Sequence, residues 1–249
     1  MTLLSQNSLA AYWSMPMVEA NIVIFFNLLG ALLLGLLVGY ERSYHGRAAG
    51  MRTYGMVCMA SAALTVIVGY SELWFGGHAQ VAAYPDVTRV IQGIVTGIGF
   101  LCAGVIIKEG FSISGLTTAA SIWAASAIGV LVGVGFYFAA ILLSVMSAIV
   151  MMWISRLEAW LPSRHAIAIV LTFREGFEPS EEGVFQAMRD NSYRIAGGSL
   201  MISSSDERQV WQFAAVALRD DSSYSIPAIS RGLAKVNGVE KFQLSFARN

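Results

Sequence analysis

Five stretches of about twenty residues each, nearly free of charge, dominate the first two thirds of the chain. They cover residues 20–40, 53–70, 90–107, 117–133 and 135–154. A bilayer core about 30 Å thick takes about 20 apolar helical residues to cross. The backbone of such a segment must be helical, because an unpaired peptide group in hydrocarbon costs several kcal/mol. Composition agrees: 56% of the residues are hydrophobic and only 13% charged, with a mean hydropathy of +0.61. The expected fold is therefore an α-helical polytopic membrane domain over residues 1–160, followed by a water-soluble domain over 161–249.

Charge placement sets the expected orientation. Arg42, Arg47 and Arg52 join the first two spans, Lys108 joins the third and fourth, and Arg156 and Arg164 follow the fifth, with Arg89 alone on the other side. By the positive-inside rule the N-terminus lies outside and the C-terminal domain in the cytoplasm. The first twenty residues lack a basic n-region and read as an external lead-in rather than a signal peptide. Sixteen basic and sixteen acidic residues cancel, so no field draws the protein to nucleic acid, and the partner implied is lipid.

Two cysteines, Cys58 and Cys102, fall inside apolar spans, which argues against a disulfide framework. His45, His78 and His165 are scattered and form no metal-binding spacing. No cofactor is expected, and no metal site. Gly97-Ile98-Gly99-Phe100 superficially resembles a nucleotide fingerprint, but it lies within a span and not between a strand and a helix.

An offset of 65 residues superposes Gly39 on Gly104, Gly50 on Gly115, Thr53 on Thr118, and Ala60-Ser61-Ala62 on Ala125-Ser126-Ala127. If this is a repeat, spans one and two and spans three and four are parallel hairpins related by a pseudo-twofold axis along the membrane normal, with the fifth span extra. Their loops would then face one another, one bringing Glu41, Arg42 and Arg52, the other Lys108, Glu109 and Thr117. Two readings stay open: a shared polar site at the inner surface, or ordinary interfacial anchors and caps.

Glycines at four-residue spacing, Gly35 with Gly39, Gly93 with Gly97 and Gly129 with Gly133, together with Gly104, are expected to let helix backbones approach, the other reading being a narrow path lined by reachable backbone carbonyls. No ionisable residue lies centrally in any span, which disfavours a proton relay or a carboxylate-caged cation. Gln92, Thr96, Thr117, Thr118 and Ser121 offer only neutral oxygens. Ahead of the third span, in the stretch 84–89, Asp86 is placed to cap the helix and Arg89 to pair with it. An external ligand contact is the other reading of that pair.

From residue 165 the pattern changes. Strands are expected at 166–171, 194–203, 209–218 and 239–246, helices at 179–191 and 226–236, and a polar turn at 204–207. This βαββαβ order is the ferredoxin-like plan, and by fold analogy an ACT-like domain that dimerises or takes a small ligand. Its acids and bases are dispersed, so no enzyme is expected.

Gly35-Leu36-Leu37-Val38-Gly39-Tyr40-Glu41-Arg42 with Ala49-Gly50-Met51-Arg52-Thr53 resembles the first signature of the MgtC/SapB family. Gly97 through Ile106, with Gly115-Leu116-Thr117-Thr118-Ala119-Ala120-Ser121-Ile122-Trp123, resembles the second. Two positions depart from the pattern: Tyr54, where His or Asn is expected and a polar role is therefore in doubt, and Cys102, where Gly is usual. The resemblance implies a bacterial inner-membrane virulence and stress factor needed at low Mg²⁺ and for survival in macrophages. It implies a non-enzymatic regulator of other membrane proteins such as the F-type ATP synthase, and the fold analogy of the tail adds a homo-oligomer with the dimer as the expected form. The alternative is a Mg²⁺ or other ion transporter with Glu41, Arg42, Asp86, Arg89, Lys108 and Glu109 at its mouths.

Overall fold

A computed structural model of the protein describes residues 11–44, 46, 47, 49–77, 85–109, 112–160, 166–205, 208–218 and 226–246. His45, His78, His165 and Arg164, much of the N-terminal lead-in, Tyr84, and part of the 204–207 turn lie outside them. The chain divides into two compact units, residues 1–106 with 115–155 and residues 107–114 with 156–249.

The first unit contains five helices long and apolar enough to cross a membrane: α1 (Met15–Tyr44), α2 (Met51–Gly69), α3 (Val87–Val105), α4 (Leu116–Val134) and α5 (Tyr137–Trp160), the last counted through Ile154. α1 is longer than its apolar run. It starts before residue 20 and carries Glu41 and Arg42 on its final turn, where sequence alone places them in a loop.

Two left-handed glycines set the ends of α4. Gly115, at φ +88°, precedes it, and a Cβ there would collide with the Val105 carbonyl. Gly135, at φ +94°, closes it by donating its N–H to carbonyls of the last turn. At the start of α2, the Ser43 hydroxyl accepts the Met51 amide at 2.9 Å, so the end of α1 satisfies one of the orphan donors of the next helix.

α2 and α4 form the centre of this unit. Half of the α4 window is buried (50%) and 44% of that of α2, against 11% for α3 and 11% for α5. The packed core joins Ala31 and Val38 of α1, Tyr54, Cys58 and Ala62 of α2, Ile122, Ala125, Ile128 and Val132 of α4, and Ala140 of α5. Polar ties fasten it: the Tyr137 hydroxyl donates to Asn27 Oδ1 at 2.8 Å and the Ser144 hydroxyl to the Leu34 carbonyl at 3.2 Å, both linking α5 to α1. The Ser61 and Ser126 hydroxyls bond at 2.9 Å, linking α2 to α4.

The second unit holds a short antiparallel hairpin, β1 (Ile107–Glu109) and β2 (Ser112–Ser114). It also holds a sheet-containing region: β3 (Ala166–Phe173), α6 (Glu181–Asp190), β4 (Tyr193–Ile195), β5 (Met201–Ser205), β6 (Arg208–Ala217), α7 (Ile226–Leu233) and β7 (Val239–Phe246). The order across the sheet is β4-β6-β3-β7, with β5 also on β6, and every pairing is antiparallel. Alternate residues Ile167, Ile169, Leu171 and Phe173 of β3, and Trp211, Phe213, Ala215 and Ala217 of β6, point into one core. Val184 and Met188 of α6 and Ile229 and Leu233 of α7 fill the same core.

Two expectations are corrected here. The single strand expected over 194–203 is broken in two, because residues 196–200 leave the edge of β6 as a loop containing Gly197 and Gly198. Glycine pairs pack little against a sheet and favour turns. The second helix stops at Leu233, three residues short of expectation.

Candidate functional site

The most unusual chemistry in the membrane unit is a buried ion pair. Glu41 and Arg42, on the last turn of α1, are 7% and 5% exposed. Charged groups are almost never this deep unless paired. Arg42 Nη1 lies 3.9 Å from Glu41 Oε2, and its Nη2 donates to Thr118 Oγ1 of α4 at 2.8 Å.

From Thr118 the network continues inward. The Ser121 hydroxyl donates to the Thr118 carbonyl at 2.9 Å and also bonds the Tyr54 hydroxyl of α2. Ser121 has one proton, already given to that carbonyl, so Tyr54 is the donor in the second bond. Three helix ends are thereby fastened together: the C-terminus of α1 and the N-termini of α2 and α4. Arg42 stands at the positive end of the α4 dipole, an unfavourable place for a cation, and the adjacent Glu41 carboxylate offsets it. Its Nε–H has no hydrogen-bond acceptor among the described residues.

Close backbone approach makes this seat reachable. A Cβ on Gly35 would lie 2.6 Å from the Tyr54 carbonyl oxygen, and one on Gly39 would lie 2.7 Å from Met51 Cα. On α4, a Cβ on Gly129 would strike the Cys58 carbonyl, and one on Gly133 would lie 2.6 Å from Thr65 Cβ. On α3 the picture is different. Gly93, Gly97 and Gly104 have nothing within 4 Å on their open side, so within one chain they bring no helix close.

The remaining candidates fall elsewhere. Arg52 and Thr117 are exposed and Thr53 is half-buried. Gln92 is exposed on α3, its carbonyl accepting the Thr96 hydroxyl at 2.8 Å. Lys108, exposed, and Glu109 sit in the β1–β2 hairpin, and the side chain of Glu109 lies outside the description. Asp86 caps α3: its Oδ1 accepts the Thr88 amide at 2.9 Å and the Thr88 hydroxyl at 2.6 Å. Arg89 stands 3.7 Å away. These bonds, the Thr88 hydroxyl first, hold the Asp86 carboxyl below the usual carboxylate range.

Tyr54 is the residue that sequence reasoning undervalues. Instead of losing a polar role at that position, it supplies the inner end of the network. Asn27, Ser61, Ser126, Tyr137 and Ser144 are also missed. For Ser61 and Ser126 a signal existed, since the 65-residue offset superposes them. Cys102, the other departure, donates its thiol to the Ala119 carbonyl at 3.2 Å, which links α3 to α4. Among the described residues, no group of three or more His, Cys, Asp or Glu could hold a metal ion.

Comparison with known proteins places this arrangement. Residues 28–160, which include the whole buried network, match the model of the MgtC family. The chain belongs to the MgtC family. It is 46% identical over 108 residues to Protein MgtC of Brucella abortus (strain 2308), covering 43% of this chain and 41% of that one. To Protein MgtC of Salmonella typhimurium (strain LT2) it is 42% identical over 110 residues, covering 44% and 42%. To Protein SrpB of Synechococcus elongatus it is 35% identical over 146 residues, covering 55% of this chain and 78% of that one. The match to the two MgtC proteins therefore spans about two fifths of their length. No solved structure matches this MgtC-family chain.

Proposed function

We propose that this MgtC-family protein is a non-enzymatic regulator in a bacterial inner membrane. It would act through contacts with other membrane proteins, among them the F-type ATP synthase, during adaptation to low Mg²⁺ and survival in macrophages. Family membership supports the setting. The observation that carries the regulatory reading is the buried Glu41–Arg42 pair: its charges are turned onto α4 and onto each other rather than presented at a mouth. The deeper polar groups are likewise taken up in helix-to-helix bonds. A dedicated cation path would need oxygen ligands left available for the ion.

The basic residues Arg42, Arg47, Arg52 and Lys108, set against Arg89, support an external N-terminus and a cytoplasmic C-terminal domain. The sheet order, with two helices feeding one core, supports a ferredoxin-like, ACT-type plan for that domain, and such domains commonly dimerise. The Ser61–Ser126 bond supports the hairpin repeat, because equivalent residues that touch must lie on the axis relating them.

The test is purified protein in liposomes beside a pull-down from native membranes. The expected result is no Mg²⁺ flux above that of empty liposomes, with ATP synthase subunits recovered on the protein. Saturable, protein-dependent Mg²⁺ flux overturns the reading in favour of transport.

A further inference from the structure

The loop that breaks the edge strand of the C-terminal unit encloses a cavity of about 220 Å³. Its polar side is made by Arg189, at the end of α6, Arg194 of β4, and the backbone of Gly197 and Gly198. Its apolar side is made by Phe185 and Leu200 among others. No acidic side chain lines it. We infer that this cavity is a binding site for a compact oxyanion of the phosphoryl class, contributed either by a soluble phosphorylated compound or by an anionic lipid headgroup.

Charge is the first argument. Arg208, elsewhere on the same sheet, is neutralised by Glu175 and Glu240, each 3.7 Å away. Arg189 and Arg194 have no carboxylate at ion-pair distance among the described residues. The nearest acid in sequence, Asp190, accepts a hydrogen bond from Gln186 at 2.8 Å. Arg189 in the last turn of α6 has a bland account, since a cation there complements the helix dipole. Arg194, exposed on a strand, has none. Arg189 and Arg194 both line this one small cavity, and a guanidinium fork suits a phosphoryl group, whose oxygens accept paired N–H donors.

Backbone conformation is the second. Gly198 has φ +78° while Gly197 keeps a negative φ. With the Ser199 amide donating to the Ala196 carbonyl at 3.1 Å, that succession is a type II turn, whose own hydrogen bond uses neither of the two central amides. Neither glycine amide makes a backbone hydrogen bond among the described residues. The loop is also fixed in advance. The Ser199 hydroxyl donates to the Ala196 carbonyl at 2.7 Å and accepts the Ala214 amide of β6 at 3.1 Å, so little ordering remains to be done on binding. The volume decides the size of ligand: it is below the roughly 300 Å³ where sites for whole drug-sized molecules begin, and it suits one charged group.

This inference is independent of the role proposed for the membrane unit. The full chain in phosphatidylcholine nanodiscs is titrated calorimetrically with inorganic pyrophosphate. In a second arm, nanodiscs containing phosphatidylglycerol are compared by hydrogen exchange at residues 197–200. Pyrophosphate binding identifies a soluble source, and protection that appears only with phosphatidylglycerol identifies a headgroup.

In whichever arm responds, Arg194→Gln weakens the response about tenfold or more, as loss of a hydrogen bond to a charged group predicts. Arg194→Lys, which keeps the charge but loses the fork, weakens it less. If Arg189→Gln alters the cooperative melt by uncapping α6, Arg194→Gln alone carries the test. Silence in both arms overturns the inference, and so does binding that survives Arg194→Gln unchanged.

Discussion

The α1–α2 hairpin and the α3–α4 hairpin carry similar runs of residue types and use them differently. In the first, Gly35 and Gly39 press against the backbone of α2, and the two helices close on each other. In the second, Gly93, Gly97 and Gly104 of α3 face open space, and α4 spends its own glycines on α2 instead. Gly39 and Gly104 are superposed by the 65-residue offset, yet one is crowded and the other is not. A small-residue motif therefore licenses close approach without naming the partner. Side-chain bonds accompany the two close contacts unequally: Tyr54 to Ser121 and Ser61 to Ser126 join α2 to α4 beside Gly129 and Gly133, whereas the α1 bond, Arg42 to Thr118, passes over α2 and ends on α4.

Four perturbations bear on that contrast. The largest effect is expected at Arg42→Met, which leaves Glu41 buried without its adjacent cation and should cost about 3–5 kcal/mol. Arg89→Met, at an exposed pair on α3, should leave unfolding unchanged, and steric-trap unfolding in bicelles would read both. An equal loss at the two positions would erase the distinction.

Next, Gly129→Ala drives a methyl into the Cys58 carbonyl and should cost about 1–3 kcal/mol by overpacking. Gly97→Ala, with room to spare, should stay within about 0.5 kcal/mol. The same unfolding assay on detergent-diluted monomer separates them.

Smaller still is Ser61→Ala, at about 0.5–1.5 kcal/mol for one neutral hydrogen bond. The Ser61→Ala/Ser126→Ala double variant should lose little more than the single one, since both partners then disappear together. A double-mutant cycle checks this, and additive losses would mean the two hydroxyls act separately.

The smallest concerns Asp86. Because Thr88 lowers its folded pKa, the cap contributes fully above the unfolded carboxylate value and is lost as pH falls through the folded one. Acidification should lower the melting midpoint of the wild type slightly more than that of Asp86→Asn. A carboxyl titration followed by NMR should place the Asp86 midpoint below those of solvent-exposed aspartates.

Legibility in the sequence tracked how local each feature is. Five spans were readable because crossing lipid constrains every residue of a segment. The Asp86 cap was readable because its donor, Thr88, is two residues away. Tyr54 was not, because an aromatic beside a basic loop looks like an interfacial anchor until α4 supplies Ser121, 67 residues on. Falling hydropathy predicts a loop at Glu41 and Arg42, whereas the helix continues through them and Thr118 receives the guanidinium. The loop at 196–200 reads as strand in the sequence because Ile195, Leu200 and Met201 keep an apolar pattern on either side of the glycines.

The Ser43 cap on Met51 bears on how such a chain assembles. The cap, and Gly35 and Gly39 with the atoms they meet on α2, all lie within residues 35–58. Those contacts need no later helix, whereas Arg42 and Tyr54 wait for α4 to supply Thr118 and Ser121. α3 brings no such contact at its glycines, and its thiol link, Cys102 to the Ala119 carbonyl, forms only once α4 has followed it into the bilayer.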